Sequence, residues 1–190
     1  MKNSKYYVYS FYRFIKIRNK RLIKLKIDNF LSCKSIRGTI LIADEGINGS
    51  LSADYHTLDA VIIFIKKLLN IRKLEIKVNE TKNLPFNRIK VRLKKEIVSL
   101  GMGEINVNKY RGKLICPTKW DELINKEGTI VIDVRNTFEI SIGTFKNAIN
   151  PNTISFREFP KKIKNLNLEK HDNMQCFVQV EFVAKKHQLF

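Results

Sequence analysis

A chain of 190 residues with 44% hydrophobic side chains is long enough for one large core or two small ones and reads as globular. Lys and Arg number 36 against 18 acidic residues, a formal charge of +18 that makes a polyanion, nucleic acid first, the expected partner; AT-rich codons are the competing source of so much Lys, Ile and Asn. Cys33, Cys116 and Cys176 lack the spacing of a zinc site or disulfide framework, and the longest apolar run, Ala60 to Ile65, falls far short of the roughly 20 residues of a membrane span.

In chain order, Tyr6 to Phe14 is aromatic-rich and predicts a strand, with no apolar run of the kind a signal peptide carries. Arg21 to Leu31 places Ile23, Ile27, Phe30 and Leu31 on one helical stripe. Gly38 to Ala43 and Ile47 to Ser52 flank the turn chemistry of Asp44-Glu45-Gly46 and predict a hairpin. From Asp54 to Asn70 the apolar residues recur at helical spacing, with Asp54 or Thr57 available as the cap. Leu74 to Val78 reads as a strand, and Arg88 to Leu93 alternates basic with aliphatic residues, as a strand with one face on the core does. The first hundred residues thus predict βαββαβ with an extra strand near Arg88, a ferredoxin-like layer.

Gly101 to Gly112 mixes Gly, Asn and charge and predicts a domain boundary. Pro117-Thr118 starts a helix that can bury Trp120, Leu123 and Ile124 on one side. Thr129 to Val134 is a short β-branched strand, and Asp133, Arg135 and Glu139 lie at its carboxyl end and just beyond, where α/β sheets place functional side chains. A structural ion pair holding a loop is the competing reading of that cluster.

Longer strings carry a resemblance. They are Gly38-Thr39-Ile40-Leu41-Ile42-Ala43-Asp44-Glu45-Gly46-Ile47-Asn48-Gly49-Ser50, the run from Phe86 to Val98, Ile132-Asp133-Val134-Arg135-Asn136, and Glu139 to Pro160 with its Ile142-Gly143-Thr144-Phe145 and Ser155-Phe156-Arg157-Glu158-Phe159-Pro160. Together, from about Tyr6 to about Leu168, they resemble the tRNA uridine(34) hydroxylase family, a ferredoxin-like domain followed by a rhodanese domain. Asn147 departs from the pattern, since the family usually has Gly there. The resemblance implies oxygen-dependent hydroxylation at C5 of the wobble uridine of tRNA, molecular oxygen as co-substrate, no further cofactor identified, tRNA as partner, and a cytoplasmic place for the chain. It also implies a low-pKa cysteine in a loop reading Cys-Thr-Gly-Gly-Ile-Arg-Cys followed by Glu-Lys, shortly after Asn173.

The chain instead reads Met174-Gln175-Cys176-Phe177-Val178-Gln179-Val180-Glu181-Phe182-Val183-Ala184-Lys185-Lys186, with no glycine. Written in codons, Phe177 to Lys186 can be TTT GTA CAG GTG GAA TTC GTT GCG AAA AAA. With a T in front and the letters regrouped in threes, this becomes Phe-Cys-Thr-Gly-Gly-Ile-Arg-Cys-Glu-Lys, the missing loop. A one-base slip between Leu168 and Asn173 accounts for it. Cys176 lies close to the family position but has no glycine cradle around it, so it is not read as the nucleophile; Cys33 and Cys116 are read as packing residues.

The expected fold class is α/β in the broad sense (α+β), with a ferredoxin-like domain over 1–100, a linker over 101–116, an incomplete rhodanese-like doubly wound domain over 117–173 and an out-of-frame tail over 174–190. No catalytic residue and no metal ligand are expected in this polypeptide. Alternation puts Arg88, Lys90, Arg92 and Lys94 on one face with Lys95 beside them, where they can follow phosphates, and Lys161, Lys162 and Lys164 are candidates to extend the patch. An ordinary solvated face is the competing reading. Three readings follow: an inactive, frameshifted descendant of a tRNA hydroxylase; a non-catalytic module that binds tRNA or other RNA; or a full, active enzyme, if the slip is a sequencing error or a programmed frameshift.

Overall fold

The computed structural model describes residues 5–98, 101, 115–166 and 173–177. The chain divides into two compact units, 1–97 and 98–190. Most of the predicted linker and of the predicted tail lies outside the described residues.

The first unit runs β1 (Tyr6–Phe14), α1 (Lys20–Leu31), β2 (Arg37–Ala43), β3 (Gly46–Ala53), α2 (Tyr55–Leu68), β4 (Glu75–Thr81) and β5 (Ile89–Leu93). Its sheet has the order β4-β1-β3-β2-β5; the first four strands pair antiparallel, and β5 joins parallel to β2. This is the ferredoxin-like layer expected from the pattern, with the extra strand at its edge. Alternation decides which face is buried. Tyr9, Phe11, Ile40, Ile42, Ile47 and Leu51 point to one side and meet Leu58, Val61, Ile62 and Ile65 of α2 and Ile27 and Leu31 of α1 in one core. Ten or so side chains of this size, each worth about 1.5–3 kcal/mol when buried, make this core the main source of stability of the unit.

Local chemistry fixes the joints. The Asp54 side chain accepts a hydrogen bond from Thr57 N at 3.0 Å, closing the amino end of α2 as its sequence predicts. Asn19 does the same for α1 through Leu22 N. Gly38 sits at φ 131°, and a Cβ there would lie 2.1 Å from the Ser50 carbonyl oxygen, so only glycine lets β2 approach β3 at this point.

The second unit is built from α3 (Pro117–Ile124), β6 (Thr129–Asp133), α4 (Thr137–Ile140), a 3-10 turn (Phe156–Glu158), α5 (Phe159–Lys164) and β7 (Asn173–Phe177). Ile132, Val134, Phe159 and Ile163 form its core, with Ile130, Ile149, Phe156 and Leu166 packed around them. β6 and β7 pair in parallel, with Ile132 opposite Cys176 and Asp133 opposite Phe177. Met174 to Phe177, the first residues of the segment read as an out-of-frame tail, thus belong to β7. An α/β unit whose chain returns through α5 brings the next segment against the open edge of β6, and backbone pairing there does not depend on which side chains arrive.

Candidate functional site

Each unit carries one of the two constellations that the sequence singles out. In the first, Ile89, Val91 and Leu93 pack on the core. Arg88, Arg92, Lys94 and Lys95 are exposed and Lys90 is half-buried. The strand register extends this polar side across the sheet: Lys90 lies beside Thr39, Thr39 beside Ser50 and Ser50 beside Ser10, while Arg92 continues through Leu41 and Asn48 to Tyr12. The Ser10 and Ser50 hydroxyls are 2.9 Å apart. The face away from the helices is thus largely polar, with a row of cations along one rim.

The two rims of the sheet differ in charge. On the β4 side, Lys5 pairs with Glu80 at 3.0 Å and Arg13 with Glu75 at 3.2 Å. On the β5 side, none of Arg88, Lys90, Arg92, Lys94 and Lys95 belongs to an ion pair among the described residues. Cations on an edge strand also block pairing with another sheet, so that part of the row has a structural use of its own. Lys161, Lys162 and Lys164 are exposed on α5 of the second unit, a different body from this row.

In the second unit the Asp133 carboxylate is fully buried at the end of β6. Arg135 Nε donates to Asp133 Oδ1 at 2.9 Å and Arg135 Nη2 to Oδ2 at 2.6 Å; Thr144 Oγ1 donates to Oδ2 at 2.8 Å. Burial on its own raises the Asp133 carboxyl, but the hydrogen bonds from Arg135 and Thr144 together outweigh it and hold the group below the ordinary carboxylate range. The same bond to Asp133 raises Arg135. Glu139 turns the other way: its Oε2 accepts from Asn136 N at 3.0 Å and from Asn136 Nδ2 at 3.1 Å, completing a capping box on α4. The acidic-Arg-acidic cluster therefore splits into an ion pair that ties the β6 end to the loop at Thr144 and a helix cap.

Asn147 adopts φ 61°, the left-handed conformation that glycine takes most easily and asparagine tolerates best among the others, so the departure noted in the sequence is accommodated. The expectation that Cys33 and Cys116 pack in a core is corrected, since both are exposed. Cys33 falls in the turn after α1, and Cys116 precedes Pro117 at the start of α3, where its Sγ lies 3.2 Å from Thr118 Oγ1 and that hydrogen bond lowers the thiol. No group of three or more potential metal ligands occurs among the described residues, and no helix among them is long and apolar enough to cross a membrane.

Residues 6–97 match the family described as "UPF0176 acylphosphatase like domain". Proteins named tRNA uridine(34) hydroxylase are similar over most of the chain. The one from Rickettsia massiliae (strain Mtu5) is 42% identical over 158 residues, 83% of this chain and 64% of the relative. That from Prochlorococcus marinus (strain MIT 9215) is 42% identical over 174 residues, 90% of this chain and 56% of the relative. That from Pelagibacter ubique (strain HTCC1062) is 40% identical over 170 residues, 89% of this chain and 56% of the relative. The chain thus spans between 56% and 64% of the length of these relatives.

Proposed function

Since the chain belongs to the tRNA uridine(34) hydroxylase family, we propose that it descends from an enzyme that hydroxylates C5 of the wobble uridine of tRNA with molecular oxygen, and that this polypeptide lacks the activity because its cysteine loop is read in the wrong frame. One observation carries the second half. The amino acids of residues 177–186 admit codons that, with one base in front, regroup to Phe-Cys-Thr-Gly-Gly-Ile-Arg-Cys-Glu-Lys, and Phe177 is the residue paired with Asp133 at the carboxyl end of the parallel β6–β7 pair. In the regrouped frame the cysteine follows Phe177 directly. That is the place where an α/β sheet presents reacting groups, and where successive backbone N–H groups of a glycine loop can hold a thiolate. Cys176 fits that role poorly, because its backbone is committed to the ladder opposite Ile132, inside the strand and not in a loop beyond it.

Determining the DNA and transcript sequence from the Leu168 codon onward is the direct test. The expected result is a set of codons whose third bases give the glycine loop on regrouping, with one base lost or gained before Met174. Third bases that yield any other peptide in that frame sink the slip, however well the amino acids permit it.

A second reading, retention of RNA binding without chemistry, is favoured by the cations of the β5 rim, which have no ion-pair partner among the described residues. Reversing Arg92 and Lys94 together to Glu is expected to weaken binding of tRNA by about tenfold or more at low salt and to flatten its salt dependence, because each phosphate contact releases counterions. Gel-shift titrations at two salt concentrations measure this. Equal binding by the double variant excludes the rim.

A further inference from the structure

A hollow of about 480 Å³ opens at the β2–β5 corner of the first unit, lined by Gly38, Thr39, Phe86, Asn87, Arg88 and Lys90 among others. The fold makes it on purpose of backbone pairing. Gly38 N donates to the Arg88 carbonyl at 3.1 Å, and Arg37 Nη1 donates to the Phe86 carbonyl at 3.3 Å, so the start of β2 holds the segment leading into β5. Thr39 and Lys90 are register partners across the parallel pair and lie on the polar side of the sheet. The hollow therefore combines a half-buried aromatic ring, a side-chain amide, a hydroxyl and two cations, and no carboxylate lines it. Its volume lies within the roughly 300–1,000 Å³ that small-ligand sites occupy.

That set of groups is selective. A purely phosphate-tracking rim needs cations only, and an edge strand guarded against aggregation needs neither Phe86 nor Asn87. A ring on which a base can stack, an amide with both a donor and an acceptor for a base edge, and cations for the phosphates on either side are what recognition of an unpaired nucleotide requires. We propose that this hollow binds one unstacked nucleotide of a single-stranded RNA segment, its base against Phe86 and the edge of the base at Asn87, with Arg88 and Lys90 on the flanking phosphates. The proposal rests on the RNA-binding reading of the β5 rim and gives that rim a position where the strand is read as well as held.

The test uses the full chain and a fluorescein-labelled ten-nucleotide oligouridylate, followed by anisotropy, with unlabelled tRNA and unlabelled UMP as competitors. Phe86→Ala is expected to weaken the oligonucleotide about tenfold, or about 1.4 kcal/mol, the scale on which loss of a base–aromatic stack acts. Phe86→Leu keeps the apolar bulk, so it should keep the thermal midpoint and still lose most of the affinity. Asn87→Ala should change the ratio of affinities for uridylate and adenylate of the same length, and Lys67→Ala on α2 should change binding less than twofold. Full affinity in Phe86→Leu and Asn87→Ala, with loss confined to the Arg92 and Lys94 reversals, overturns the hollow and leaves the rim. UMP competing as well as the strand at equal nucleotide concentration makes the hollow a mononucleotide pocket and overturns the strand. Absence of binding to both oligouridylate and tRNA removes the RNA-binding reading itself.

Discussion

Adding back one base after the Asn173 codon, so that translation continues through Phe-Cys-Thr-Gly-Gly-Ile-Arg-Cys, is expected to turn a gene product that leaves tRNA unmodified into one that deposits 5-hydroxyuridine. The measurement is nucleoside mass spectrometry of tRNA from a host without its own hydroxylase, expressing either the present or the restored frame. Because a nucleophile and its cradle act as a unit, the difference should be on the order of a thousandfold or more, not a graded improvement. Serine in place of the cysteine that then follows Phe177 should return the signal to background. Modification by the present frame, at a level the restored frame does not exceed, would falsify the claim that the slip removes the activity. Family membership would survive that outcome.

Asp133→Ala should be the most damaging single substitution in the second unit. It removes the anion that Arg135 and Thr144 share, and leaves a guanidinium, largely shielded from water, with the Gly143 carbonyl but no Asp133 carboxylate to balance its charge. Breaking one side of such a pair costs about 3–5 kcal/mol, enough to unfold a small unit whose core is Ile132, Val134, Phe159 and Ile163. The chain's single tryptophan, Trp120, belongs to this unit and packs with its ring centroid 5.2 Å from that of Phe145, the neighbour of Thr144. Tryptophan fluorescence thus follows the second unit alone, and a denaturation midpoint that does not move in Asp133→Ala would show the pair to be dispensable. The pH dependence follows from the direction of the shift. Asp133 is held below the ordinary carboxylate value in the folded chain, so its contribution is present in full above the unfolded value, about 3.9, and fades as pH falls through the lower folded value. Asp133→Asn should lose this acid-side loss of stability.

Much of the first unit was legible before any coordinates. Apolar spacing on α2 and the cap at Asp54 marked a helix within two residues of its ends, and the basic–aliphatic alternation from Arg88 to Leu93 marked β5 and its two faces. The hollow was not legible. Thr39 and Lys90 become neighbours only through a parallel pairing across β3, α2 and β4, and nothing local to Pro85-Phe86-Asn87 announces that the segment docks beside Gly38. In the second unit the sequence grouped Asp133, Arg135 and Glu139 by proximity in the chain. Thr144, the second partner of Asp133, could not be found that way, because its approach depends on how the loop returns. The role of Glu139 was in reach, since Asn136 followed three residues later by an acid is the spacing of a capping box. The exposure of Cys33 and Cys116 went the other way from the usual burial of free cysteines, since each sits where a helix meets a turn.

The parallel pairing of β5 with β2 also leaves the cationic strand at the margin of the sheet, joined along one side only. Closing that pair carries loop-closure entropy, since β3, α2 and β4 lie between the two strands in the chain. A polyanion bound across the rim would act as a clasp: by mass action it would draw the equilibrium toward the docked strand, so that the unit is firmest when it is occupied.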